Sequence, residues 1–189
     1  NADTINIGTN DTIIDVTTSN TTNTTNTTNP VNNTNIHNYS GHAMYSIHTL
    51  DLSGCVGITT IAPISMCNIH TLKLKHCKQI TDLHTLTAVD CLDLTGCIQL
   101  TDVDLESYIN CHDLCISNCN QITNINCLNR IHKLDISYCN GITDVSSLVN
   151  TYQLNISYCE NIKNIYCLTN VYILYNVGIN VNEKCIELL

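Results

Sequence analysis

A short solenoid of stacked parallel coils is the fold this sequence predicts, and three observations predict it. A framework of the form Leu-x-Leu/Ile-x-x-Cys-x-x-Ile/Leu-Thr-Asp/Asn recurs seven times, opening at Leu50, Leu72, Leu92, Leu114, Leu134, Leu154 and, in degenerate form, Leu174. The spacings between these leucines are 22, 20, 22, 20, 20 and 20 residues. Apolar residues make up 43% of the 189-residue chain, yet there is no Phe and no Trp, which suits many thin, equal layers better than one bulky core.

Each part of the repeat has a physical role. In Leu-x-Leu the two leucines point one way and the residue between them the other, so each coil contributes one short strand. A further inward position follows the Cys by three residues, at Ile58, Ile80, Leu100, Ile122, Ile142 and Ile162. Three residues beyond lie Ile61, Leu83, Val103, Ile125, Val145 and Ile165, and Ile64, Leu86, Leu128, Leu148 and Leu168 complete the layer. No coil can bury these side chains alone, so neighbours stack at about 4.8 Å per strand into a right-handed parallel solenoid roughly 30–35 Å long. About seven coils result, with the parallel β-sheet on the concave side. The coils are too short for a full helix on the convex side, where turns or 3₁₀ segments are expected.

Residues 36–47 read as an amino-terminal cap, because Ile36, Tyr39 and Ile47 match the second half of a coil. The repeats occupy 48–178. In the last coil Ile179 stands where Cys is expected, and residues 179–189, with Val181, Cys185, Ile186, Leu188 and Leu189, read as a carboxy-terminal cap.

Six of the thirteen cysteines, Cys55, Cys77, Cys97, Cys119, Cys139 and Cys159, hold one repeat position and are expected to form a buried, reduced ladder. Parallel side-chain vectors on adjacent rungs make a disulfide torsion awkward. Among the rest, Cys91 and Cys111 are read as equivalent places in successive coils, where a disulfide is possible in principle. Cys111, His112 and Cys115 form one cluster without a second ligand pair, so no metal is assigned. Histidines recur two residues before the strand leucine, at His48, His70, His112 and His132, with Asp90, Tyr152 and Tyr172 on the other rungs; a solvated ladder outside the strand is the expectation. Every candidate catalytic residue falls in a repeat slot, so no enzymatic activity and no cofactor are expected.

Residues 1–35 form an Asn/Thr-rich arm. Six Asn-x-Ser/Thr triplets begin there or just beyond, at Asn10, Asn20, Asn23, Asn26, Asn32 and Asn38, and one more begins at Asn155. Their clustering suggests N-glycosylation, while a disordered polar spacer fits the same composition. Thr4–Val16 carries β-favouring Ile and Val around a turn signal, which suits an arm that docks as a strand. The first residue, Asn1, suggests a processed, secreted product, although a fragment would begin the same way.

The segments LDLSGC…ITT and LDISYCNGITDVSSL resemble the cysteine-containing subclass of leucine-rich repeats, across about residues 47–178. The resemblance implies a leucine-rich-repeat solenoid that acts as a recognition surface. The subclass occurs in substrate receptors of F-box ubiquitin ligases, and similar short-coil versions occur in protist surface proteins and large DNA viruses. In this family the concave sheet is the usual ligand face, which nominates Asp51, Lys73, Asp93, Asp113, Asp135 and Asn155. Around them stand mainly small hydroxyls and few aromatic anchors.

A net charge of −9, with seven Lys plus Arg, weighs against nucleic acid and anionic membrane as partners, and no apolar run is long enough for membrane insertion. The partner is therefore a protein. The leading expectation is a secreted, glycosylated structural module that self-assembles into a surface layer, fibre or virion decoration, located outside the cell, at its surface or on a virion. The alternative is an intracellular or viral adaptor in the cytoplasm, favoured by many unpaired cysteines, that binds a heterologous protein through the concave sheet.

Overall fold

The computed structural model describes residues 4–6, 46–65 and 67–178. Their strands are β1 (Thr4–Asn6), β2 (Ser46–Asp51), β3 (Asn68–Lys73), β4 (Cys91–Asp93), β5 (Asp113–Cys115), β6 (Lys133–Asp135), β7 (Gln153–Asn155) and β8 (Ile173–Tyr175). All pair in parallel, in chain order, in a single sheet. Seven of them, β2 to β8, carry the seven repeats, and the protein is a leucine-rich-repeat solenoid. β1 adds a rung outside the repeats, with Ile5 paired opposite Leu50. The other expectations for residues 7–45 and 179–189, including most of the amino-terminal cap, the whole carboxy-terminal cap and six of the seven glycosylation triplets, lie outside the described residues.

Register follows the leucines: Leu50, Leu72, Leu92, Leu114, Leu134, Leu154 and Leu174 are direct partners along the sheet. A one-residue slip would turn that column to water, so burial pins the pairing. The second column, Leu52, Leu74, Leu94, Ile116, Ile136 and Ile156, is fully buried behind it. Each such side chain stabilises the stack by about 1.5–3 kcal/mol relative to exposure. On the opposite side the chain returns through one four-residue α-helical turn, Ala62–Ser65, and the 3₁₀ segments Leu83–Thr85, Asp104–Tyr108, Asn126–Leu128, Ser146–Leu148 and Tyr166–Asn170.

One inward assignment is corrected. Val103 is 77% exposed, whereas Leu105 and Tyr108 are buried. The coil opened by Leu92 is two residues longer than its successors, and the extra residues enter after Leu100, so the inward slots are counted back from the next leucine. Tyr108 fills the slot held elsewhere by Leu128, Leu148 and Leu168, and its hydroxyl donates to the Leu83 carbonyl at 2.9 Å. Burying this larger ring is permitted because that one polar atom finds a partner.

A second correction concerns Cys91 and Cys111. Cys91 pairs with Asp113, not Cys111, on the neighbouring strand. Cys111 lies two residues earlier in its coil, buried in the inward column of Ile69, Val89, Ile131 and Val171, with its thiol donating to the Val89 carbonyl at 3.0 Å. Side chains on opposite faces of the sheet do not bridge, and both thiols are free.

The repeated cysteines are buried. Cys77, Cys97, Cys119, Cys139 and Cys159 donate to the carbonyls of Leu52, Leu74, Leu94, Ile116 and Ile136, each in the preceding coil, at 3.0–3.4 Å. Each of these thiols ties two layers together at the bend. Burial pushes Cys77 and Cys159 up to about 11 and Cys97, Cys119 and Cys139 up to about 12, from 9.0. Carboxylates clamp the convex side: Asp82 accepts from the Ile61 and Ala62 amides and the Thr60 hydroxyl, and Asp102 from the Thr123 amide and hydroxyl and the Asn124 amide.

Two outcomes follow from this packing. Thr151 is fully buried in the same inward column as Cys111, and its hydroxyl has no hydrogen-bond partner. Replacing it by the isosteric Thr151→Val is expected to raise unfolding stability by about 1 kcal/mol, read as a rise in the midpoint of a denaturant titration; a fall would show that the hydroxyl is satisfied. The ladder thiols are neutral in the fold and ionise more readily in the unfolded chain. A folded-state value raised above 9.0 stabilises fully below that pH and is lost as pH rises toward 11–12. Stability is therefore expected to decline above about pH 9. The decline should be shallower in a Cys97→Ala/Cys119→Ala variant, and an unchanged slope would assign it to other groups.

Candidate functional site

Strand alternation sends the residues flanking each leucine outward, so the concave surface consists of aligned columns. One runs through Thr49, Thr71, Cys91, Asp113, Lys133, Gln153 and Ile173, the next through Asp51, Lys73, Asp93, Cys115, Asp135, Asn155 and Tyr175. The six nominated residues thus share one surface. Most of the lining of a shallow groove of about 290 Å³ comes from these two columns, from Thr71 to Asn155.

Charges on this floor are largely paired across rungs. Lys73 lies 3.8 Å from Asp51, Lys75 is 3.0 Å from Asp93, Lys133 is 3.1 Å from Asp113, and the Asn155 amide donates to Asp135 at 2.9 Å. These half-exposed pairs add little stability, but they hold the floor in one arrangement. The Asp93 hydrogen bond and charge raise Lys75. At Asp51, burial works upward but is outweighed by the Ser53 hydrogen bonds and by Lys73 and Lys75, leaving the carboxyl below its usual range.

The second column also terminates the strands. Oδ1 of Asp51, Asp93, Asp135 and Asn155 accepts the backbone N–H two residues on, from Ser53, Thr95, Ser137 and Ser157. Such a turn lets the chain leave the sheet at once. Ser137 and Ser157, which donate in these turns, are buried. In the Asn155 triplet the amide nitrogen donates to Asp135 and Ser157 is buried.

The residue three positions after the second column takes φ between 58° and 76° in every coil: Gly54, His76, Gly96, Asn118, Tyr138, Tyr158 and Gly178. Glycine and Asn accept that conformation readily, whereas a tyrosine there is strained by about 1–2 kcal/mol. The backbone ladder offsets this, because the Tyr138 and Tyr158 amides donate to the Ser157 and Val177 carbonyls of the following coil. The two rings, about half exposed, stack at 4.6 Å.

On the opposite rim, His112, His132, Tyr152 and Tyr172 stack in sequence with centroids 4.5, 4.7 and 4.9 Å apart, and His48 stacks on His70 at 5.0 Å. The recurring histidines thus belong to two ring stacks, His48 with His70 and His112 through Tyr172, separated by Asp90. Tyr172 is 74% exposed, and Tyr175 on the floor between the rims is also exposed. Aromatic anchors, thought scarce from the strand positions alone, thus border the carboxy-terminal half of the concave face. Their signal in the sequence was the tyrosines just outside the strands.

Cys111, His112 and Cys115 do not converge. Cys111 is buried, His112 Nδ1 meets Asp113 at 2.6 Å, and Cys115 contacts the Thr95 hydroxyl at 3.1 Å. Burial raises both concave thiols, Cys115 to about 11, and the nearby Asp113 and Asp90 add to this at Cys91. Activated cysteine nucleophiles need the opposite shift.

No protein-family model matches the chain, and no curated protein sequence does. Among solved structures it is similar to an internalin (inlF) from Listeria monocytogenes, with 20% identity and a TM-score of 0.53 over 76% of this chain and 52% of the other. It is also similar to an internalin C2 (inlC2) from the same organism, with 25% identity and a TM-score of 0.51 over 72% of this chain and 62% of the other. The chain thus spans between half and two thirds of the length of these internalins. The likeness agrees with the leucine-rich-repeat fold.

Proposed function

We propose that this protein is a non-enzymatic recognition module that binds another protein on the concave strand face, toward its carboxy-terminal half. The observation that carries this reading is the paired polar floor flanked by two rims of stacked rings, the exposed Tyr138 and Tyr158 on one side and the half-buried His132 with the exposed Tyr152 and Tyr172 on the other. Tyrosines at the edge of a shallow groove are the side chains that dominate protein interfaces, because they bury large area at small entropic cost. The floor, already satisfied internally, sets register and charge complementarity more than affinity.

The test compares partner recovery by the wild type, by Tyr152→Ala and Tyr172→Ala, by Asp93→Asn with Asp135→Asn, and by the convex control Arg130→Ala. Each tyrosine change is expected to weaken binding about ten-fold, or ~1.4 kcal/mol, with a smaller loss from the floor changes and none from the control. Equal recovery by all would remove the concave face as the site.

A secreted, glycosylated form that self-assembles at a surface is the finer reading. Its support is the cluster of acceptor triplets from Asn10 to Asn38 and the pairing of β1 as an extra rung, since a neighbour's arm can make the same parallel pairing as the chain's own. Expressed through a secretory pathway, the chain is expected to lose mass on enzymatic glycan removal, with the sugars mapping to that stretch and not to Asn155. An unchanged mass would favour the cytoplasmic adaptor.

A further inference from the structure

The geometry points to a zinc site on the amino-terminal rim of the concave sheet, formed by His70, Asp90 and Cys91 with a fourth position open to solvent. The site is independent of the docking reading above. The parallel register that pairs Thr71 with Cys91 sets His70 beside Asp90 across the β3–β4 step, so three donors from two adjacent strands converge. Among the described residues they are the group whose ligand atoms could hold an ion, all lying within 4.8 Å of one another.

The individual separations suit that ion. His70 Nδ1 is 3.3 Å from Asp90 Oδ2, and the Cys91 sulfur is 3.9 Å from the same oxygen. Zinc bonds of about 2.0–2.3 Å at tetrahedral angles require an N···O edge of about 3.4 Å and an S···O edge of about 3.6 Å. These two edges lie within a few tenths of an ångström of coordinated ones, and the nitrogen–sulfur edge lies within 4.8 Å. The backbone behind it is held, because the Asp90 carbonyl accepts the His112 and Asp113 amides at 2.8 and 3.1 Å and the His70 ring is stacked on His48. A mixed nitrogen, oxygen and sulfur set favours zinc over the hard cations calcium and magnesium. About half of the His70 and Asp90 side-chain surface is exposed, which leaves an entry path and room for water or a partner's side chain as fourth ligand.

Binding replaces the sulfhydryl proton: the thiol and Zn²⁺ form a zinc–thiolate bond and release one proton to solvent, with no change of oxidation state. Asp90 and Asp113, which oppose ionisation of the lone thiol, attract the dication.

The experiment titrates the reduced, metal-free full chain with zinc alone against a chromophoric chelator, then repeats the titration with cobalt to read the thiolate-to-metal absorption. Two substitutions are borrowed from the same columns so that folding is kept, Cys91→Thr, as at Thr49 and Thr71, and His70→Tyr, as at Tyr152 and Tyr172; the third is the isosteric Asp90→Asn. The expected result is one tight equivalent in the wild type, weakened at least about ten-fold in each variant, and a thiolate–cobalt band lost in Cys91→Thr. Controls Cys127→Ser and His132→Tyr should bind as the wild type does. Undiminished affinity in the three variants, loss equal to that in the controls, or no binding by the wild type overturns the site.

Discussion

No coil of about twenty residues can cover its own leucines, and nearly everything else in the structure depends on that constraint. Each layer presents apolar side chains to both neighbours, so burial is complete only when successive strands align leucine on leucine. Register, sheet order and coil geometry then follow together. A shift of one residue would expose a whole column, while a backbone ladder continuing past the strands, through Leu74, His76 and their equivalents, holds the layers at one spacing.

Stacking also decides how the polar atoms are satisfied. At the bend after four of the strands a carboxylate or amide caps the turn, a residue with positive φ follows every repeat strand, and five buried thiols reach back to the preceding coil. These devices join adjacent layers, so local turn chemistry and long-range cohesion are the same interactions. That Tyr138 and Tyr158 occupy a strained conformation is consistent with such over-determination: the amide ladder and ring stacking hold what an isolated turn would reject.

The functional surface arises as a by-product of repetition. Because one slot becomes one column, a few rings at two slots are enough to build aromatic stacks on both rims, and the change from Thr49 and Thr71 to Cys91 within one column brings a thiol beside His70 and Asp90. The binding reading rests on the rims, whereas the zinc reading rests on one local convergence, and neither needs the other. Both lie on the sheet side, where side chains are freed from packing the core.

The coil number, strand positions, concave columns and cysteine ladder were legible in the residues themselves, because a repeat converts sequence spacing directly into position in space. The sequence by itself determined that Asp51, Lys73, Asp93, Asp113, Asp135 and Asn155 share a face, since alternation about a buried leucine leaves no other side. Tertiary structure alone decided what period could not: that the longer coil exposes Val103 and buries Tyr108, that Cys91 and Cys111 lie on opposite faces, and that rings twenty residues apart stack. Those outcomes depend on where extra residues enter a coil and on which side of a turn a side chain emerges. Such quantities are set by backbone angles and neighbouring layers rather than by spacing along the chain.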